Sequence, residues 1–400
     1  MNRGIQGRLA KQTTSPEPFS AFVPNPLPPL PPLEFTPELL KLKERADLAL
    51  GRLDGIARLL PDLHLFLYFY VRKEAVLSSQ IEGTQSSLSD LLLFENDQIP
   101  GVPIDDVQEV SNYVAALQHG ADRIKDGFPI SLRLIKEIHR VLLSKGRGSN
   151  KEPGEFRRTQ NWIGGTRPGN ARFVPPPFSE VLECMGQLEK FFHEGAEKYS
   201  TLVRAALIHL QFETIHPFLD GNGRVGRLLI TLLLVSDKVL SVPLLYLSLY
   251  FKIHRNRYYE LLQNVRFEGI WEDWLTFFFE AVEVTAQQAV DTAEKILQLF
   301  ESDKAKINGL GRVKGSALQV HEVLQRRAFV TIPSASRELK LSQPAVTNAL
   351  RALQALGIVA ESTGRTWKRI YVYKAYLRLL NEGMDIVEGQ EQTAATNLAG

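Results

Sequence analysis

The densest chemistry in this 400-residue chain lies between His216 and Arg227, in the run His-Pro-Phe-Leu-Asp-Gly-Asn-Gly-Arg-Val-Gly-Arg. His216 is a side chain that accepts a proton near neutral pH. Asp220 offers one hard oxygen to a metal ion, and Arg224 and Arg227 offer forked donors to phosphate oxygens. Gly221, Asn222 and Gly223 suit a backbone that visits positive φ and turns its N–H groups inward, where the next helix presents its positive dipole end. These parts together fit a nucleoside triphosphate. Gly-Asn-Gly alone would read as a tight turn, with His216 as a packed helix-end histidine. Six polar or glycine positions at fixed spacing instead favour a ligand cradle.

Such a loop needs two rigid supports. An apolar helical pattern from Leu202 to Ile215 runs into it and a second, Val225 to Leu234, runs out. The run also follows, position by position, the signature His-x-Phe-x-Asp/Glu-Gly-Asn-Gly-Arg-x-x-Arg, so the chain resembles the Fic-domain protein adenylyltransferases. The resemblance implies a mainly α fold, a Fic-type helical bundle with a β-hairpin flap. It implies an enzyme that moves AMP from ATP, with Mg2+, to a Ser, Thr or Tyr hydroxyl of a target protein or of itself. His216 would be the general base, and Gly221, Asn222, Gly223, Arg224, Val225, Gly226 and Arg227 the phosphate cradle. Asp220 would hold the metal, and Phe218 would point into the helical core. The family's adenine pocket draws on the region of Asn256-Arg257-Tyr258-Tyr259, which brings in Tyr258 and Tyr259; near a helix start these are also ordinary packing residues.

A second motif lies upstream. In Ser78-Ser79-Gln80-Ile81-Glu82-Gly83, Ser78 and Glu82 are four residues apart and share a helical face. Taken alone this is a helix end with a solvated glutamate. Beside the signature it matches the family's inhibitory pattern Ser/Thr-x-x-x-Glu-Gly/Asn. By that resemblance Glu82 pairs with Arg227 and competes with the γ-phosphate for the same fork. Between the motifs, residues 105–144 read as helices with a stripe of Leu132, Ile135, Ile138, His139 and Leu142. His139 is read there as a packed histidine without chemistry. Arg157 to Ile163, a glycine-rich turn from Gly164 to Asn170, and Ala171 to Val174 read as a short hairpin. In the family the corresponding segment, here 157–177, is the flap that holds a target segment by backbone pairing.

Composition bounds the rest. With 44% hydrophobic and 23% charged residues, the chain is a globular protein of two or three domains. Its net charge of +2 is unevenly spread: residues 310–380 hold twelve Lys and Arg against three Glu, which leaves the remainder near −7. A basic terminal segment suggests nucleic-acid binding or docking. Cys184 is the single cysteine, so no internal disulfide or thiolate cage is expected, and a reducing compartment is. No signal-type or bilayer-length apolar run is found, and a cytoplasmic protein without a membrane partner is expected. Residues 1–36 form a proline-rich arm that is expected to lie extended along its own domain.

The expected order is the arm over 1–36, a helical region with the inhibitory motif over 37–100, the catalytic core over 101–308, a winged helix-turn-helix domain over 309–380 and a tail over 381–400. Helices over 316–327, Ile332 to Leu339 and Ser342 to Leu356, followed by a hairpin over 357–373, carry the winged-helix reading. Gln343, Thr347, Asn348 and Arg351 on its third helix suit base edges, and Arg365, Lys368 and Arg369 on the wing suit phosphates. Such modules also serve protein contacts or dimerisation, so DNA and a second copy of the chain are both candidate partners. Two other functions stay open: a nucleotide-sensing DNA-binding regulator, and a Fic variant that removes AMP or transfers another phosphate group.

Overall fold

The computed structural model describes residues 1–13, 17–59, 63–88, 90–91, 104–362 and 369–382. The chain divides into two compact units. One comprises Met1–Gly55 with Val71–Gln287, the other Ile56–Tyr70 with the described residues from Gln288 onward. The helices over 63–81 and 271–308 each contribute one half to one unit and one half to the other, so the units do not follow the chain-order segments 37–100, 101–308 and 309–380.

The first unit is helical, and its centre is set by two helices with no polar face. Helices α1 (Pro37–Leu59), α2 (Leu63–Ile81), α3 (Ile104–Lys125), α4 (Leu132–Leu142), α5 (Phe178–Glu194), α6 (Thr201–Ile215), α7 (Asn222–Ser236), α8 (Ser248–Ile253), α9 (Arg255–Glu268) and α10 (Trp271–Asn308) follow in order. Thr36 caps α1 from just ahead of Pro37: its hydroxyl accepts from Leu39 N–H at 3.3 Å. In α6 every residue from Leu202 to Ile215 is buried, and in α7 every residue from Asn222 to Leu234. A helix buried all round must be enclosed by others, and α3, α5 and α9 supply that enclosure. Trp274 of α10 locks the packing by donating to the Ala206 carbonyl at 2.9 Å.

Two β features depart from expectation. The N-terminal arm is not wholly extended, because Gly7–Gln12 (β1) and Phe19–Pro24 (β2) pair as an antiparallel hairpin. No proline lies between Phe19 and Val23, so these residues keep their N–H donors, and Phe22 N–H reaches the Val174 carbonyl at 2.9 Å. The arm is then tied along the helical body, with Gln211 donating to the Asn25 carbonyl at 2.9 Å. Conversely, the flap hairpin shrinks to one bridge between Ile163 and Phe173, with reciprocal bonds of 2.8 and 3.1 Å. Outward of the bridge, Gly164 and Gly165 turn to φ 68° and 74°. Inward, Pro175, Pro176 and Pro177 have no N–H to give, so no ladder can grow either way.

The second unit contains α11 (Lys314–Arg327), α12 (Ile332–Leu339), α13 (Gln343–Ala355), α14 (Lys374–Asn381) and a sheet in the order β3 (Phe329–Thr331), β5 (Ile370–Val372), β4 (Ala360–Glu361). Strand β3 is absent from the sequence reading, since three residues are too few for a period. Thr331 ends it and also caps α12, accepting from Ser334 N–H at 3.2 Å. Ser342 caps α13 with Pro344 in its first turn, as the spacing implied. Phe69, Phe300, Tyr373 and Tyr376 form an aromatic cluster, with ring centroids of 5.3 Å for Phe69–Tyr376 and 4.9 Å for Phe300–Tyr376.

Candidate active site

The loop between α6 and α7 is held from outside as much as by its own glycines. His216 ends α6 in the left-handed region, at φ 49° and ψ 61°. That conformation costs a non-glycine residue on the order of 1 kcal/mol and persists only when its neighbours impose it. Arg157 imposes it: its Nε donates to the His216 carbonyl at 3.0 Å, and its backbone N–H to the Pro217 carbonyl at 2.9 Å. Asn161 adds bonds from Nδ2 to the carbonyls of His216 and Phe218, at 3.4 and 3.0 Å. Inside the loop, Asn222 closes a ring on Phe218, accepting its N–H and donating to its carbonyl, both at 2.8 Å. Gly221, at φ 76°, starts α7.

His139 does more than pack. Its Nδ1 accepts from Gly154 N–H at 2.8 Å, so the proton sits on Nε2, which donates to the Asp220 carbonyl at 3.0 Å. Its ring stacks on Phe218 with centroids 3.7 Å apart and planes 9° apart. Burial pushes His139 down to about 4, which keeps this neutral tautomer. Phe218 is fully buried, as expected for a core anchor.

The two signature arginines part company. Arg224 points into the protein, with Nη1 2.7 Å from Glu109, both side chains 2% exposed, and Nη2 3.1 Å from Asp220. Arg227 points toward the end of α2: its Nε donates to Ser78 Oγ at 2.8 Å, and its Nη2 to the Ser78 carbonyl and to Glu82, both at 2.9 Å. Against the upward push of burial, Arg227 holds the Glu82 carboxyl below the usual carboxylate range. Glycine is required where these groups crowd α7. A Cβ at Gly223 would lie 2.2 Å from Glu82 Oε1, and one at Gly226 2.5 Å from Glu213 Oε1.

A cavity of about 300 Å³ opens here. Glu82, His216, Gly223 and Arg227 line one side, Tyr258, Tyr259, Leu262 and Arg266 of α9 another, and Trp162, Ile163 and Phe173 of the bridge a third. Burial, with Arg157 and Arg266 nearby, pushes His216 down to about 4, so the imidazole is neutral at physiological pH. The first-turn N–H groups of Asn222, Gly223 and Arg224 have no carbonyl one turn back to pair with, because the first α7 bond runs from Val225 N–H to the Gly221 carbonyl.

Six sequence candidates therefore meet at the cavity: Glu82, His216, Gly223, Arg227, Tyr258 and Tyr259. Ser78 braces Arg227 from behind. Gly221, Asn222, Arg224, Val225 and Gly226 do not line it: Asn222 braces the loop, Arg224 belongs to Glu109, and Val225 is core. Asp220 also lies off the cavity, with Oδ1 taken by Gly221 N–H at 2.6 Å and its side chain 31% exposed. Its Oδ2 has room only because residue 148 is glycine, where a Cβ would come within 2.8 Å. One free carboxylate oxygen fits Mg2+, which takes one or two carboxylates together with phosphate oxygens and water. No group of three or more metal-binding side chains exists among the described residues. In the second unit, Gln343, Asn348 and Arg351 are exposed on α13, while Thr347 turns its hydroxyl to the Gln343 carbonyl at 2.8 Å. Arg369 leads into β5, and Arg365 and Lys368 lie outside the described residues.

Residues 129–234 match the Fic/DOC family model, and residues 40–122 match the Fic/DOC family N-terminal model. The chain carries a Fic domain. Over 209 residues, 51% of this chain, it is 32% identical to a protein adenylyltransferase Fic of Aedes aegypti. It is 31% identical over 208 residues to the enzyme of the same name in Drosophila yakuba. In both cases the match covers 39% of the relative, so the chain spans about two fifths of the curated relatives it matches. Among solved structures, a Fic family protein from Desulfovibrio desulfuricans aligns over 86% of this chain and 98% of its own, with a TM-score of 0.56 and 21% identity. A Fic domain containing signaling protein from Bacteroides thetaiotaomicron aligns over 63% of this chain and 97% of its own, with a TM-score of 0.51 and 20% identity. These two likenesses speak for the fold. Sequence reasoning about the Fic domain missed Arg157, Asn161, His139, Glu109 and Glu213. Glu213 did leave a signal, as the one carboxylate of α6, one turn before His216.

Proposed function

We propose that this chain is a protein adenylyltransferase, moving AMP from ATP to a Ser, Thr or Tyr hydroxyl of a target protein or of itself, and that Glu82 holds it down. The observation that carries the reading is that one cavity joins a neutral histidine, Gly223 in the first turn of α7 and an arginine already occupied by a carboxylate. The helix start and Arg227 suit phosphates, and the tyrosine and bridge walls suit a flat base. His216 takes the proton from the incoming hydroxyl as that oxygen attacks the α-phosphorus in line, and pyrophosphate leaves. A group held near 4 is a weak base at rest, and the negative charge of the phosphate oxygens beside it raises its basicity as the hydroxyl gives up its proton. Magnesium held through Asp220 supplies charge neutralisation at the phosphates when bound. Glu82 on Arg227 occupies the fork that a γ-phosphate would use. The bridge residues Ile163 and Phe173 form the pairing edge for a target segment.

The test compares wild type, Glu82→Gly and His216→Ala, each incubated with Mg2+ and ATP labelled on the α- or the γ-phosphate. Retention of α-label alone, stronger in Glu82→Gly and missing in His216→Ala, is the expected outcome. Retained γ-label, or no label in any variant with lysate supplying targets, rejects the reading. The exposed row Gln343, Asn348 and Arg351 favours a second role, in which the C-terminal module is a winged helix that binds DNA. A DNA shift that responds to ATP without covalent transfer would favour that role over the enzyme.

A further inference from the structure

Within the cavity, the proposed chemistry leaves Glu213 without a task. It is 7% exposed, lines the cavity, and has a carboxyl oxygen, Oε1, with no hydrogen-bond partner among the described residues. An orphaned buried acceptor is costly, and such groups persist where a ligand completes them. Its backbone is fixed. Arg266 Nη2 donates to the Glu213 carbonyl at 3.2 Å, and Arg266 Nε to Thr214 Oγ1 at 3.0 Å. Glu213 lies one turn before His216 on α6, and its carboxyl sits against Gly226, one turn beyond Gly223 on α7. It is therefore a turn deeper than the groups assigned to the phosphates.

Charge then sorts the two ends of the cavity. Arg227, whose fork the Glu82 carboxylate already occupies, marks the phosphate end with His216 and Gly223; deeper in, Arg266 spends its donors on Thr214, Gln263 and the Glu213 carbonyl, so the Glu213 carboxyl is left for the nucleoside, beside Tyr258, Leu262 and Phe173. A carboxyl group there needs a donor from its ligand. We propose that Glu213 determines base specificity by accepting a hydrogen bond from the exocyclic amine of adenine. This rests on the nucleotide reading of the cavity.

Burial pushes the empty Glu213 up to about 7, with Arg227 pulling it down, Glu82 pushing it up and Arg266 pulling it down; Tyr258 and the neutral His209 and His216 also face it. A donor arriving from the ligand favours the carboxylate, so ATP binding near pH 7 expels part of a proton.

The experiment uses the full chain and isothermal titration with ATP, with inosine triphosphate (a carbonyl in place of the amine) and with 2′- and 3′-deoxy ATP, in two buffers of different ionisation enthalpy. Wild type is expected to bind ATP about tenfold more tightly than inosine triphosphate. It is also expected to release more protons on binding ATP than Glu213→Gln does. Glu213→Leu is expected to bind the two bases alike, with the thermal melt of each variant reporting that it is folded. Equal discrimination in wild type and both variants, with ATP still bound, overturns the proposal and leaves the nucleotide reading standing. Loss of discrimination against the deoxy nucleotides, in place of inosine, also overturns it, since the donor is then a sugar hydroxyl. Wild type that binds none of these nucleotides overturns this proposal and the nucleotide reading together.

Discussion

Arg224 and Arg227 stand three residues apart on one helix, belong to one motif and are both buried, yet they serve opposite ends. Arg224 has Glu109 at 2.7 Å inside the protein, with both side chains 2% exposed. Arg227 has Glu82 at 2.9 Å, on a side chain 35% exposed at the lip of a cavity. The first pair holds α3 to α7. Under the proposed function the second is exchangeable, because Ser78 also holds Arg227 and a phosphate would take the carboxylate's place. A buried ion pair thus says little about its role until the exit path of each partner is known.

The comparison can be broken most sharply through stability. Glu109→Ala leaves the buried Arg224 with only the partly exposed Asp220 as a charged partner and is expected to cost about 3 kcal/mol. Glu82→Gly is expected to melt within a few degrees of wild type. Equal losses in thermal melts of the two variants would erase the distinction. Next comes catalysis: in the Glu82→Gly background, His216→Ala should slow α-label transfer by about a hundredfold or more, read as initial rates. A retained rate would remove His216 from the role of base.

Smaller effects follow from pH. Glu74 lies buried on α2, one turn before Ser78, and accepts from Tyr113 OH at 3.1 Å and from Ser248 N–H at 3.2 Å. Burial pushes it from the ordinary 4.5 up to about 7. The folded protein therefore keeps a proton that the unfolded chain gives up, and stability declines as pH rises through that window. Glu74→Gln should flatten the decline by on the order of 1 kcal/mol, seen in melts between pH 5 and 8. An unchanged slope would reject Glu74 as its source. The smallest effect is an expected constancy. Because Glu82 is held below the usual carboxylate range, its pair with Arg227 is lost only as pH falls through that depressed value. The ratio of Glu82→Gly to wild-type transfer should accordingly stay within about twofold from pH 6 to 8, and a steep change there would mean that another group sets the inhibition.

Much of the helical frame was legible because long apolar stretches with clear caps leave few alternatives. Thr36-Pro37, Ser342 with Pro344, and the two helices flanking the loop all follow local rules. Strand content was not legible. β1 and β2 depend on Phe22 meeting Val174, a partner distant in the chain, and the flap lost its ladder to prolines whose effect depends on register. In the site, the motif named the loop, but side-chain direction separated its members. Helical geometry gives Arg224 and Arg227 similar access, and only the placement of Glu109 and of the α2 end decides which faces the cavity.

By itself, the sequence determined a mainly helical chain, a polar glycine loop between two apolar helices, and a carboxylate motif upstream that matches it. These are local properties, set by periodicity, capping and residue chemistry. Only the tertiary structure decided that Glu82 reaches Arg227 across 145 positions, that Arg157 and His139 hold the loop from outside, and that Glu213 lines the same cavity with one carboxyl oxygen left unpaired. The reason is physical. A side chain's partner depends on which distant segment fills the space beside it, and that is set by packing of the whole unit.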